Sequence, residues 1–527
     1  MTWLTRTVLA DRGAPPESRL EPRQTRARRP IEILLVIGLA GGPLAAQGAS
    51  PYVPLHHWAM PYVEHLIARG ALADPTPLTR PLHADDLVRA LEAADTTGLN
   101  TAERRIVRDI LADLRPPATE RPWLRVNGEV TGAGASHARR DPLRAAGPSH
   151  ATAAGGLDLQ LALGRVMLVT HPYFDTRLKY DPDWFGKKDR VIAGRVAESY
   201  IAARWRLGEL FFGRLDRNWG PSGIQGLLLS DNPYGLDHLG FTVGTARFQL
   251  QAIVTQLDDR IDSTGALAHR YMVQHRLWTR PGRRWTVALW EGSVLSGPGR
   301  EIEPWYLNIL NVGYLEQLNT GTTVNNFLGL DFERHATVTL FGQFMLDDVK
   351  IEHKGPADLL PASYGFTVGA KGGVGRTGID WCLFYTQVSN LTYRNQDNVE
   401  VPLYHFLGTG RNFDDYDQAT FKLTMLHGSG LLLAPEVTLL RQGEGDPRLP
   451  YPPLTAFGST PRLFAGVVER TVRLALGANW DRGPVGLAGN GGVHFIHNAG
   501  HVTGASDTKW VGSIAVSYRF RREGQVP

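Results

Sequence analysis

Cysteine is almost missing from this sequence: Cys382 is the only one in 527 residues. A single thiol forms no intramolecular disulfide and cannot build a cysteine-ligated zinc site, so it reads as a small apolar residue in a strand. Long apolar runs are missing too. Beyond the N-terminal region no stretch approaches the roughly 18 apolar residues that carry a helix across a bilayer. A membrane-spanning form of this chain must therefore cross with strands. Nor does the charge balance favour one sign. The formal net charge is +4, but residues 1–46 hold seven arginines against four acids, which leaves about +1 for the remainder. That near-neutral balance excludes a general phosphate-backbone binder, and no nucleic-acid partner is expected.

Catalytic signatures are equally scarce. There is no His-Glu-x-x-His, no Gly-x-Ser-x-Gly and no phosphate-cradling Gly-Lys-Ser/Thr motif. Gly373-x-Gly375-x-x-Gly378 matches a dinucleotide fingerprint in letters only. It precedes the strand-like residues 379–385 where the mechanism needs a helix N-terminus, so it reads as a turn, as does Gly428-Ser429-Gly430. Asn390-Leu391-Thr392 spells a glycosylation acceptor, which would be idle in a bacterial chain. The acid pairs Asp258-Asp259, Asp347-Asp348 and Asp414-Asp415 are neighbours in sequence. Adjacent carboxylates on a strand point to opposite faces, which suits a solvated rim better than a glycosidase. No enzymatic activity, cofactor or metal site is expected, and a hydrolase would need a nucleophile with a base in reach.

What the chain does contain is glycine, 58 of them, with frequent tryptophan and tyrosine, the mixture of strands, tight turns and aromatic girdles. Arg28 and Arg29 precede the apolar residues 33–40, and small residues follow through Ala45 and Ala46. This resembles an export signal with a long N-terminal extension, residues 1–46, cleaved after Ala46 or alternatively after Gly48. Residues 47–122 read as a small helical bundle and linker. Trp58, Tyr62, Val63, Leu66 and Ile67 recur at helical spacing before Gly70, and Leu87, Val88 and Leu91 mark a second helix. Asn100 or Thr101 caps a third, with Ile106, Val107, Ile110, Leu111 and Leu114 on one face, ahead of Pro116, Pro117 and Pro122.

From Trp123 the period becomes two. Trp510, Gly512, Ile514, Val516, Tyr518 and Phe520 share one face of the final strand, and Val511, Ser513, Ala515, Ser517 and Arg519 the other. Eight short turns alternate with nine long polar connections, which yields about 18 strands, an even number with every long loop at one end. A soluble sandwich has no reason for that asymmetry. The predicted fold is an all-β transmembrane barrel of about 18 antiparallel strands over residues 123–520. It carries a small N-terminal α-helical periplasmic bundle and a short tail, residues 521–527. The terminal aromatic Phe520 resembles the signal read by the outer-membrane assembly machinery. Outer-membrane lipid, including lipopolysaccharide, is the expected surrounding, and the barrel is expected to be a monomer.

Two polar loop segments combine arginine, carboxylate, aromatic and proline residues. One contains Arg214, Arg217, Trp219, Ser230, Asp231 and Asn232, and the other Arg300, Glu303, Tyr306 and Asn308. They read as a salt-bridged plug folded into the lumen, which an open barrel this wide would need, or as a carbohydrate surface. Gly213-Arg214, Trp219-Gly220-Pro221, Leu227-Leu228-Leu229-Ser230-Asp231-Asn232 and Gly299-Arg300-x-Ile302-Glu303-Pro304-x-Tyr306-Leu307-Asn308 resemble the capsule-assembly outer-membrane proteins of the Wzi type. Val53-Pro54-Leu55-x-His57-Trp58 resembles that family's start. The resemblance spans about residues 50–520 and fails in the outer loops. It implies an 18-stranded barrel that binds and anchors capsular or surface polysaccharide as a non-catalytic lectin. Trp184, Phe185, Tyr393, Tyr404 and Tyr416 are the outer-loop candidates for stacking on sugar rings. The alternative is a passive porin or solute transporter.

Overall fold

A computed structural model describes residues 49–119, 121–320, 324–348, 362–375 and 377–526; the expected signal sequence lies outside them. Among the described residues no helix is long and apolar enough to cross a membrane. The strands instead close on themselves. They are β1 (Trp123–Ala135), β2 (His150–Leu163), β3 (Val166–Asp175), β4 (Ala193–Trp205), β5 (Gly208–Arg214) and β6 (Asp237–Thr245). There follow β7 (Phe248–Gln256), β8 (Leu267–Thr279), β9 (Trp285–Pro298), β10 (Val324–Arg334), β11 (Thr339–Asp348) and β12 (Ser363–Gly373). The last six are β13 (Ile379–Val388), β14 (Tyr416–Leu426), β15 (Leu431–Gln442), β16 (Glu469–Arg482), β17 (Val485–His497) and β18 (Ser506–Gln525). Each pairs with its sequence neighbours, and Arg260–Ile261 adds a short extension beside the start of β8.

Eighteen antiparallel strands thus form one closed barrel. The two-residue alternation decides its faces. On β18, Trp510, Ile514, Val516, Tyr518 and Phe520 are exposed on the outside, as lipid-facing residues of an outer-membrane barrel are. Closure comes from β18 against β1, in register from Ser513↔Ala135 to Gln525↔Trp123. This corrects the sequence-based boundary: residues 521–525, expected in a tail, are the closing end of the barrel wall. Their N–H and C=O groups would otherwise be left unpaired at an open sheet edge. At Gly128 a Cβ would lie 2.0 Å from the Phe520 ring, so the missing side chain gives that aromatic its seat.

Three helices precede the wall: α1 (Met60–Ala68), α2 (Ala84–Glu92) and α3 (Thr101–Leu114). Gly70, at φ +72°, donates its N–H to Ile67 O and ends α1. Asn100 caps α3 in a reciprocal box with Glu103. Tyr62, Leu66, Leu87, Leu91, Ile106 and Ile110 form the apolar core between the helices. The bundle sits at the short-turn end of the barrel. His65 Nδ1 lies 2.5 Å from Asp380, Tyr62 donates to Gly430 O at 3.2 Å, and Arg204 grips Asp85 at 2.8 Å and Asp86 at 2.7 Å.

Between α1 and α2, residues 72–80 turn into the lumen. Trp278 Nε1 donates to Pro77 O at 2.9 Å, and Arg280 donates to Pro75 O at 2.7 Å. Arg80, almost fully buried, pairs with Glu64 at 2.7 Å and Asp74 at 2.8 Å. Removing that guanidinium takes the partner from the buried Asp74 carboxylate, a loss of about 3–5 kcal/mol. Arg80→Met is therefore expected to loosen residues 72–80 while the barrel still forms. The check is protease cleavage confined to that segment, in protein that still migrates as a folded barrel on unheated gels.

Candidate functional site

Two long-loop segments fold inward and fill much of the lumen. In the 215–236 loop, Trp219 and Asn218 form an antiparallel pair of rungs with Thr79 and Arg80, so this loop meets the N-terminal segment inside the barrel. The wall clamps both. Arg276 donates to Asp331 at 2.8 Å and Leu78 O at 2.9 Å, and its guanidinium lies 5.1 Å from the Trp219 ring centroid. Gln343 donates to Asp331 at 2.9 Å and Trp219 O at 2.9 Å, and accepts from Leu227 N at 2.7 Å. Beyond this polar knot the plug is apolar: Leu227 and Leu228 pack among Met272, Trp290, Phe327, Met345, Tyr393 and Tyr416.

The 389–415 loop lies across that core. Tyr393 donates its hydroxyl to Leu227 O at 2.5 Å, and Thr409 donates to Leu228 O at 2.9 Å. Ser230 donates to Gly410 O at 2.5 Å and Asn232 to Gly408 O at 2.7 Å, tying the two loops together. Space remains along β18 and β1–β4, in a cavity of about 760 Å³ whose walls carry Arg125, Arg195 and Arg519 beside Glu129, Asp158 and Glu198.

Within this loop residues 403–408 form a small hairpin with Phe406 exposed at its tip. His405 and Phe406 at its tip have φ of +47° and +65°. Two successive positive-φ residues match the twist of a hairpin, but Asn-Gly is the usual pair, and bulky side chains there cost on the order of 1–3 kcal/mol each. Three contacts hold the turn. Asp258 accepts from His405 N at 2.7 Å, while buried Arg270 donates to Val399 O at 2.7 Å and Leu403 O at 3.1 Å. Phe185 stacks on His405 at 4.1 Å and meets Tyr404 edge-on at 5.9 Å; the Arg260 guanidinium lies 4.6 Å from the Phe406 ring. Phe406 is 56% exposed and Phe185 42%. Burial pushes the His405 imidazole below its ordinary value, so it is neutral at neutral pH. Burial also raises Asp258, but the His405 N–H, Arg260 and Arg270 outweigh it and hold the carboxyl below the usual range. The result is an aromatic cluster with a cation over one face of Phe406, its other exposed ring surface free to stack on a flat apolar ring face.

Several expected site residues lie elsewhere. Tyr393 and Tyr416 are buried in the plug core, and Trp184 is buried against Leu178, Tyr234 and Leu407 beneath Phe185. None of these three presents a ring face outward; only Phe185 and Tyr404 reach the platform. Arg217, Trp219, Ser230 and Asn232 are in the plug, with Arg217 donating to His238 at 2.7 Å and Asp231 half-buried near His56 at 3.9 Å. Arg214 follows Phe212 on the outward face of β5, where it pairs with Asp237 at the rim instead of filling the lumen. Arg300, Glu303, Tyr306 and Asn308 are not in the lumen either. Their segment lies on the outside of the wall, where Tyr306 packs on the outward-facing Val273 and Leu295. His405, Phe406 and Arg260 escaped the sequence reading, because a turn with positive φ at His-Phe carries none of the usual turn letters. No cluster of three or more metal-ligating side chains occurs among the described residues.

No family model matches the chain, and no curated protein matches it. Solved structures do. The fold is that of outer-membrane β-barrels. The chain is similar to the structure described as Wzi, an outer-membrane protein involved in group 1 capsule assembly in Escherichia coli and a carbohydrate-binding β-barrel. Identity is 15%, with 90% of this chain and all of that one covered, at a TM-score of 0.60. It is also similar to OprD of Pseudomonas aeruginosa, at 10% identity, 76% and 95% coverage and a TM-score of 0.43. OccAB4 of Acinetobacter baumannii matches at 8% identity, 77% and 100% coverage and a TM-score of 0.43.

Because the Asp258 carboxyl is held low, its grip on the turn is complete above the unfolded value of about 4 and is lost only as pH falls through the lower folded value. Deuterium uptake of residues 403–408, corrected for intrinsic rate, is expected to be flat from pH 7 to 5. Asp258→Ala should speed it roughly 10- to 100-fold at pH 7, the equivalent of one charge-assisted hydrogen bond.

Proposed function

We propose that this protein is an outer-membrane barrel that binds surface or capsular polysaccharide without catalysis, and so anchors or organises it at the cell surface. The observation that carries the reading is the His405-Phe406 turn. Backbone strain at a bulky, exposed pair persists only where surrounding contacts over-determine it, and such strain concentrates at ligand-facing positions. Phe185, Tyr404 and Phe406 offer ring faces to sugars there, and Arg260 offers donors to hydroxyls or uronates. The interlocked lumen supports the same reading, since a passive wide pore has no use for an apolar core across its bore. So does the similarity to a barrel described as carbohydrate-binding. Binding is multivalent, many weak contacts along one polymer, so a single platform has low affinity. The lipid and assembly machinery of the outer membrane are its other partners, and the working form is a monomer.

The cavity beside β1–β4 favours a second reading, passage of small polar solutes, and the two part in measurement. For the anchoring role, Phe185→Ala with Phe406→Ala is expected to cut retention of host polysaccharide on barrel-loaded liposomes roughly tenfold, about 1.4 kcal/mol. Planar-bilayer conductance of the purified barrel should stay small in wild type and double variant alike. Unchanged retention in a folded double variant would remove the platform from the reading; large steady channels indifferent to polysaccharide would replace it with the porin.

A further inference from the structure

Residues 299–320 occupy a place that no lumen plug and no aqueous loop would take. On β9 the outward row runs Trp285, Val287, Leu289, Glu291, Ser293 and Leu295; Trp285 and Leu289 are exposed, whereas Glu291, Ser293 and Leu295 are buried. The neighbouring rows behave alike: His275 on β8, in register with Glu291, and Asn326 on β10, in register with Ser293, are buried on the outer face. What buries them is the segment itself, which contains the short helix α4 (Pro304–Leu307) and then α5 (Gly313–Thr320).

The polar wall groups bond to each other and to this cover, with His275 Nε2 and Glu291 Oε2 left buried beneath it. His275 Nδ1 lies 3.0 Å from Glu291, which accepts from Gly313 N at 2.9 Å. Ser293 bonds Asn326 at 2.5 Å, Asn326 donates to Gln317 at 2.5 Å, and Gln317 donates to Val324 O at 2.6 Å. Gly313 is required at the contact, since a Cβ there would lie 2.8 Å from Ser293 Oγ. Ile302 and Tyr306 close over Val254, Val273 and Leu295.

Depth follows from the strand. Glu291 lies six residues beyond the short-turn aromatic Trp285, about 20 Å along a strand and about 15 Å in height at the usual tilt, inside an apolar band about 25 Å tall. An uncovered carboxylate, imidazole and amide at that level would face hydrocarbon, where nothing replaces the hydrogen bonds of water. The cover in turn presents Trp305, Leu307, Leu310, Val312 and Leu315 away from the wall, with Leu310 75% exposed. That is a poor surface for water and a matching one for lipid.

We propose that residues 299–320 are a clasp embedded in the outer leaflet, with one side sealing a polar stretch of wall and the other, led by Leu310, contacting acyl chains. This rests on the barrel being in a membrane and is independent of polysaccharide binding. The test is nitroxide accessibility in proteoliposomes, in a Cys382→Ser background, with labels at Leu310→Cys and Leu315→Cys. Leu289→Cys on the lipid-facing wall and Thr264→Cys in a long loop serve as references. Collision with oxygen at least severalfold above collision with a water-soluble nickel chelate, as at position 289, is expected at one or both clasp positions. Chelate accessibility equal to that at position 264, in barrel that is folded by heat-shifted gel mobility, would overturn the proposal. Two clasp positions are labelled so that failure of one variant to fold does not silence the test.

Discussion

Arg276 stands on the inner wall with two different parts of the chain in its grasp. Its guanidinium binds Asp331 across the strands, holds the carbonyl of Leu78 from the N-terminal segment, and covers the ring of Trp219 from a long loop. Gln343 completes the knot by bonding the same carboxylate and the backbone on both sides of the loop's turn. A charge in a lumen partly emptied of water is costly unless paired, and breaking such a pair costs about 3–5 kcal/mol. The knot therefore joins a segment that enters from the helical end to a loop that enters from the other, both held by Arg276 against one carboxylate.

The apolar layer above the knot does a different job. Leu227 and Leu228 fill a core shaped by Trp290, Phe327 and Tyr393, so the 389–415 loop rests on a packed floor instead of on water. That floor is what permits strain at the surface. His405 and Phe406 keep left-handed backbone because Arg270 and Asp258, both rooted at the wall, hold the hairpin on either side. Rigidity generated in the lumen is delivered to an exposed aromatic turn, so this turn is ordered before anything meets it.

The outer wall shows the same economy in reverse. Most of the barrel exterior meets lipid directly through its apolar rows, as β18 does. Where the row turns polar at Glu291, Ser293 and Asn326, a piece of the chain lies over it, and the apolar face is restored one layer further out. Loops at one end of this barrel thus go three ways, into the lumen, over the wall and out to the surface. Their sequences share the same mixture of arginine, aromatics and proline, which is why composition could not sort them. Arg300 and Tyr306 read like plug residues and lie outside; Tyr393 and Tyr416 read like displayed aromatics and lie within.

The sequence by itself determined a count of about 18 strands, the two faces of the strands with clean alternation such as β18, the short-turn and long-loop ends, and the helix stop at Gly70. Each of these depends on neighbours within a few positions, through the period of two, the period of 3.6 and the chemistry of turns. It also carried the Ser230-Asp231-Asn232 stretch that locks onto Gly408 and Gly410. Only the tertiary structure decided which loop goes where, that the plug core is apolar, and that residues 521–525 close the wall. It alone brought Phe185 to His405, more than 200 positions apart in the chain. Those outcomes rest on contacts between distant segments, where the gain from burial and pairing overrides local composition and pays the strain of a turn whose letters announce nothing.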